Sequence, residues 1–156
     1  MKERKLYKMV LILTLILPLM ISFLATSLPL EDYLSEIGFR TVFSWYVPWR
    51  GAVVGLLLWI VAGVTYTGTK EITRYFLWGS YIAFALFHYA TLYMVIRDGY
   101  NITLYPFVYV LNYTSDEISG STYYLDLAQI LLLINLFVSI RSKRNNKFVE
   151  PTIIYE

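Results

Sequence analysis

Cysteine is absent, histidine occurs once, and only 15% of the 156 residues are charged. Without cysteine there is no disulfide, no thiolate metal ligand, no thiol nucleophile and no covalent c-type haem attachment. A single histidine leaves a haem held between two histidines without its second ligand; a His–Met pair with Met20 or Met94, or a ligand lent by another subunit, would be needed. Soluble domains carry roughly 25% charged residues, so this chain has too few to coat a water-facing surface. No P-loop, zinc-protease motif or serine elbow occurs. A net charge of only +2 gives no reason to expect a nucleic-acid partner.

What is present is apolar and aromatic: 58% hydrophobic residues, with 15 tyrosines, nine phenylalanines and four tryptophans. The apolar residues fall into long runs with polar residues between them, the signature of a polytopic membrane protein. Four runs, near Met9–Leu28, Trp49–Tyr66, Tyr75–Ile96 and Tyr123–Ile140, are long enough to cross a hydrocarbon core as helices. Four runs are too few for a closed barrel, so helices are expected. The chain thus reads as one all-α integral membrane domain, 1–156, with four transmembrane helices. Pro18 predicts a bend in the first. That run is longer than a signal-peptide core, although Ala25-Thr26-Ser27 resembles a cleavage site, and is read as an anchored helix.

Charge sets the expected orientation. Lys2, Arg4, Lys5, Lys8, Lys70, Arg74, Arg141, Lys143, Arg144 and Lys147 fall on one side, against Arg40, Arg50 and Arg97 on the other. The basic side is cytoplasmic, which places both termini inside and the protein in the plasma membrane. Glu31, Asp32, Glu36, Asp98, Asp116 and Glu117 lie outside.

Two outer segments follow, 29–48 and 97–122. In the first, Leu30, Tyr33, Leu34 and Ile37 recur at helical spacing, which predicts an amphipathic interfacial helix before an aromatic cluster of Phe43, Trp45, Tyr46 and Trp49. The second begins at Asp98-Gly99 and runs through ITLYPFVYVLNYT. Its β-branched and aromatic content predicts an extended segment or hairpin lying on the spans or on a partner. It also carries two glycosylation sequons, at Asn101 and Asn112. The cytoplasmic tail, 141–156, starts basic and ends with Phe148, Val149, Ile153, Ile154 and Tyr155.

Gly51 and Gly55, with Gly63 nearby, and Gly79 with Ala83, predict close helix packing, since small residues four apart let backbones approach. His88 shares a face with Tyr81 and Ala85. Asp126 is expected about one turn inside the fourth span, on a face with Thr122 and Gln129, with Arg97 or Arg50 as ion-pair partners. His88 and Asp126 both fall on the outer half, so antiparallel packing of the last two spans would make them neighbours. His88, Asp126 and Tyr81 are therefore the candidate catalytic residues, and Asn135 and Ser139 read as polar ties between helices.

No complete catalytic constellation or metal set is found in the chain, and haem or quinone is expected only where shared with another subunit. The leading reading is a non-catalytic accessory subunit of a larger integral-membrane complex, such as a respiratory oxidase or other electron-transfer assembly, with other membrane subunits and lipid as partners. The alternative is a small quinone- or lipid-handling membrane enzyme or redox subunit with a pocket near the outer interface. A homo-oligomeric transporter or channel is the weaker third, because no matched broken helices or internal repeat is seen. The absence of cysteine, the tyrosines and the sequons would suit a thermophilic archaeal envelope.

Overall fold

The computed structural model describes residues 2–29, 43–66, 70–114 and 119–147. Its elements are α1 (Lys2–Ser27), α2 (Tyr46–Thr65), α3 (Glu71–Arg97), β1 (Asn101–Tyr105), β2 (Val108–Thr114), β3 (Ser119–Leu125) and α4 (Leu127–Lys147). The described residues are mostly helical, and three helices, α1, α2 and α3, are long and apolar enough to cross a membrane. The expected interfacial helix at Leu30–Ile37, acidic Asp116 and Glu117, and the end of the tail lie outside the described residues.

Two expectations change. The chain is not all-α, because β1, β2 and β3 form a three-stranded antiparallel sheet in the order β1-β2-β3. The fourth apolar run is split: Tyr123, Tyr124 and Leu125 belong to β3, and the helix starts only at Leu127. The apolar part of α4, Leu127–Arg141, is about 22 Å long at about 1.5 Å per residue, short of a core of about 30 Å. The physical reason lies in Asp126, which takes up the first free amides of α4 and so fixes where the helix starts.

α1 and α4 both pack on α3, and α2 packs on α1 and α3. The core joins Ala52 of α2, Phe84 of α3, and Ala128 and Leu131 of α4. Close approach depends on glycine at particular points. A Cβ on Gly55 would lie 2.6 Å from the backbone nitrogen of Phe84, and one on Gly51 would lie 2.7 Å from the Phe87 ring. One on Gly79 would overlap the backbone oxygen of Leu15 in α1. Gly63 faces open space, and Ala83 is fully buried. Pro18 lies inside α1 and is also fully buried.

In the sheet, Leu104, Tyr109 and Tyr124 stand opposite one another, and so do Tyr105, Val108 and Leu125. Because neighbouring residues point to opposite faces, these two rows line different sides. Asn101 pairs with Asn112, whose side chain accepts a 2.6 Å hydrogen bond from Ser121 Oγ. The β1–β2 turn is Pro106-Phe107, and Phe107 has φ +64°, a left-handed conformation costing a non-glycine residue about 1–2 kcal/mol. The N–H of Phe107 donates to Gln129 Oε1 at 3.0 Å, and its carbonyl accepts from the Asp126 N–H at 2.8 Å. Two hydrogen bonds to the start of α4 thus hold the turn in place.

Candidate functional site

The site forms where α3, the sheet turn and α4 meet. Asp126 is fully buried. Its Oδ1 accepts from the N–H groups of Ala128 at 3.0 Å and Gln129 at 3.3 Å, which caps α4. Its Oδ2 accepts from the Tyr89 hydroxyl at 3.0 Å and from Gln129 Nε2 at 2.9 Å. A carboxylate offers about four lone-pair sites, so these four donors nearly exhaust it.

His88 Nε2 lies 3.4 Å from Asp126 Oδ1, which brings together the two residues whose depths matched in the sequence. The contact does not have hydrogen-bond geometry: Nε2 is buried and makes no hydrogen bond. The imidazole is held by rings instead. Phe84 stacks on it at 5.4 Å between centroids, and Tyr89 and Tyr109 meet it at steeper angles. Tyr81, by contrast, packs edge-on against Trp78, and the tyrosine that bonds the carboxylate is Tyr89.

Arg50 and Arg97, the ion-pair partners expected for Asp126 from the sequence, do not pair with it among the described residues. Arg50 donates to the carbonyls of Leu28, at 2.9 Å, and Thr26, at 3.3 Å, and lies 5.3 Å from the Tyr46 ring centre. A cation beside the last carbonyls of a helix is the favourable arrangement for its dipole. Thr122 also leaves the site, because it belongs to β3 and is exposed. The deeper polar residues tie helices: Trp59 Nε1 donates to Asn135 Oδ1 at 2.9 Å, and Trp78 Nε1 to Ser139 Oγ at 3.0 Å. Among the described residues, no three His, Asp or Glu side chains gather as a metal site.

Beside His88 a cavity of about 380 Å³ opens between α2, α3 and the sheet, bounded by Trp49, Leu56, Phe84, Tyr109 and Tyr124. A second groove of about 570 Å³ lies between α1 and α4, lined by Leu15, Arg74, Trp78 and Ser139 among others. The first is bordered by His88, while the buried Asp126 lies outside its lining.

Sequence reasoning missed Tyr89 and the role of Gln129. Asp126-Leu-Ala-Gln129 has the spacing of a helix-start motif, an N-cap residue with Gln three residues on, and that signal was available. Nothing in the sequence marks Tyr89 among 15 tyrosines. Comparison of the chain with protein-family models, with curated proteins and with solved structures finds no match.

Proposed function

We propose that the chain is a non-catalytic accessory subunit of a larger integral-membrane complex in the plasma membrane, with both termini on the cytoplasmic side. A respiratory oxidase or other electron-transfer assembly is the class of host we have in view. On this reading β3 and α4 together make the fourth crossing.

The observation that carries the reading is the depth of an exposed apolar patch on the sheet. Asp126 is level with Tyr89, and α3 continues to Arg97. At about 1.5 Å per residue, the lower end of the sheet lies about 12 Å below the end of α3. There Tyr123, Leu125 and Tyr105 are 73%, 64% and 53% exposed, on the face that also carries the buried Val110; Leu125 in addition borders the cavity beside His88. The outer edge of β3 has no strand partner among the described residues. Unpaired backbone facing lipid is strongly unfavourable, and non-helical backbone at membrane depth is tolerated only where protein or water covers it. A partner subunit supplies that cover. Asp126, Gln129 and Asn135 each hydrogen-bond within the chain, as a scaffold requires, although Nδ2 of the buried Asn135 has no partner among the described residues.

Full-length protein purified in a mild detergent is expected to travel with defined membrane proteins at fixed stoichiometry, identified by mass analysis. Recovery as an isolated homo-oligomer would contradict the proposal. The quinone- or lipid-handling alternative is favoured by one separate observation, the cavity beside His88.

A further inference from the structure

The cavity combines three features that an incidental gap between helices and lipid does not need. Its volume of about 380 Å³ falls in the range of small-molecule sites, about 300–1,000 Å³, and like them it is mostly apolar with few polar groups. Two of its walls are flat: Tyr109 and Tyr124 stack at 5.2 Å with 17° between planes, and Phe84 backs the His88 ring. Its polar groups also have capacity to spare. Neither ring nitrogen of His88, nor the hydroxyl of Tyr109 or Tyr124, makes a hydrogen bond among the described residues.

The pairing of His88 with Asp126 decides which ligand group fits. A neutral imidazole has one N–H and one bare nitrogen, and a carboxylate beside one nitrogen draws the proton to it. Nε2 lies 3.4 Å from Asp126 Oδ1, and although the two are not hydrogen-bonded, the nearby negative charge favours the proton on Nε2. Nδ1 is then an acceptor waiting for a donor. The tyrosine hydroxyls can donate as well as accept. The matching molecule is flat, soluble in lipid, and carries a hydroxyl on one edge and a second oxygen on another. An acyl chain has neither.

We propose that this cavity binds the ring of a lipid-soluble quinol, one hydroxyl donating to His88 and a second oxygen meeting Tyr109 or Tyr124. The site does not depend on the accessory role, since every residue named belongs to this chain. Binding alone is assigned, with no electron transfer.

The test uses full-length protein in detergent and native mass spectrometry, titrated with a decyl-substituted benzoquinol kept reduced, its dimethyl ether, and decylbenzene. The quinol is expected to bind at least tenfold more tightly than either of the others. His88→Phe, which keeps a ring against Phe84, is expected to erase that preference. The dimethyl ether makes the same test on the unaltered protein, so the outcome does not depend on the variant folding. Equal binding of all three probes would show an apolar lipid groove and overturn the proposal. So would a preference that survives His88→Phe, or no binding at all. These outcomes leave the co-purification result untouched, so the two proposals fail separately.

Discussion

A carboxylate with no exposed surface in an apolar protein has given up its hydration and must recover it from donors. Asp126 recovers it from two backbone amides, Tyr89 and the Gln129 side chain. His88 comes fifth and adds no hydrogen bond. The consequences of substitution therefore rank clearly. Asp126→Ala loses a helix cap, worth about 1 kcal/mol, and hydrogen bonds to a charged group, each worth about 1.5–3 kcal/mol. It should destabilise the protein by about 3 kcal/mol or more. Tyr89→Phe should cost about 1.5–3 kcal/mol, and His88→Phe less than either. Equilibrium unfolding in detergent checks the order. A loss in His88→Phe equal to that in Asp126→Ala would show that the imidazole, and not the cap, holds the site. Apolar surroundings and matching depth made His88 and Asp126 legible in the sequence as a pair. The carboxylate's true partners were not, because periodicity assigned residue 126 to the body of a helix that in fact begins after it.

At the scale of elements, the same misassignment explains the fourth span. Tyr123-Tyr124-Leu125 is as apolar as the helix that follows, and hydropathy alone cannot divide a strand from a span. The division comes from pairing: Tyr124 lies opposite Tyr109, and Leu125 opposite Val108. The first two strands were foreshadowed by the Val, Ile, Tyr and Phe content of 101–114, whereas the third was hidden in a polar stretch followed by an apparent helix. The glycines divide on similar grounds. Gly51, Gly55, Gly63 and Gly79 look equivalent in the sequence, but their surroundings differ. A Cβ on Gly55 meets the Phe84 backbone, which cannot rotate away, while Gly63 meets nothing within 4 Å. Gly55→Ala is expected to cost about 1–3 kcal/mol through overpacking of α2 on α3. Gly63→Ala should be neutral or stabilise by up to about 1 kcal/mol through reduced freedom of the unfolded chain. Thermal unfolding of the two variants side by side reads the difference. Equal melting temperatures would mean that α2 and α3 are not in the close contact described.

For the whole molecule, composition carried most of the reading. Long apolar runs separated by charge imply membrane helices whatever the packing, and the structure has three helices fit to span. The proposed orientation rests on lysine and arginine, and the lack of cysteine makes it simple to test. In intact cells, Tyr100→Cys, just after α3, should react with an impermeant maleimide. Glu3→Cys, at the start of α1, should react only after permeabilisation. The reverse pattern would invert the topology. What the sequence did not carry is the exposed patch on one face of the sheet: Tyr105, Tyr123 and Leu125 come together only once the register of three strands is set.

That face makes the most direct test of the accessory role, because aromatic anchors dominate the energetics of most interfaces. The measurement is the amount of partner recovered, by mass analysis after purification in mild detergent, with the unaltered chain and with Tyr105→Ala/Tyr123→Ala. The unaltered chain should bring down defined membrane partners at fixed stoichiometry, and the double variant at least tenfold less, with an unchanged melting temperature. Undiminished recovery with the double variant, or an unaltered chain that comes down alone, would contradict the account.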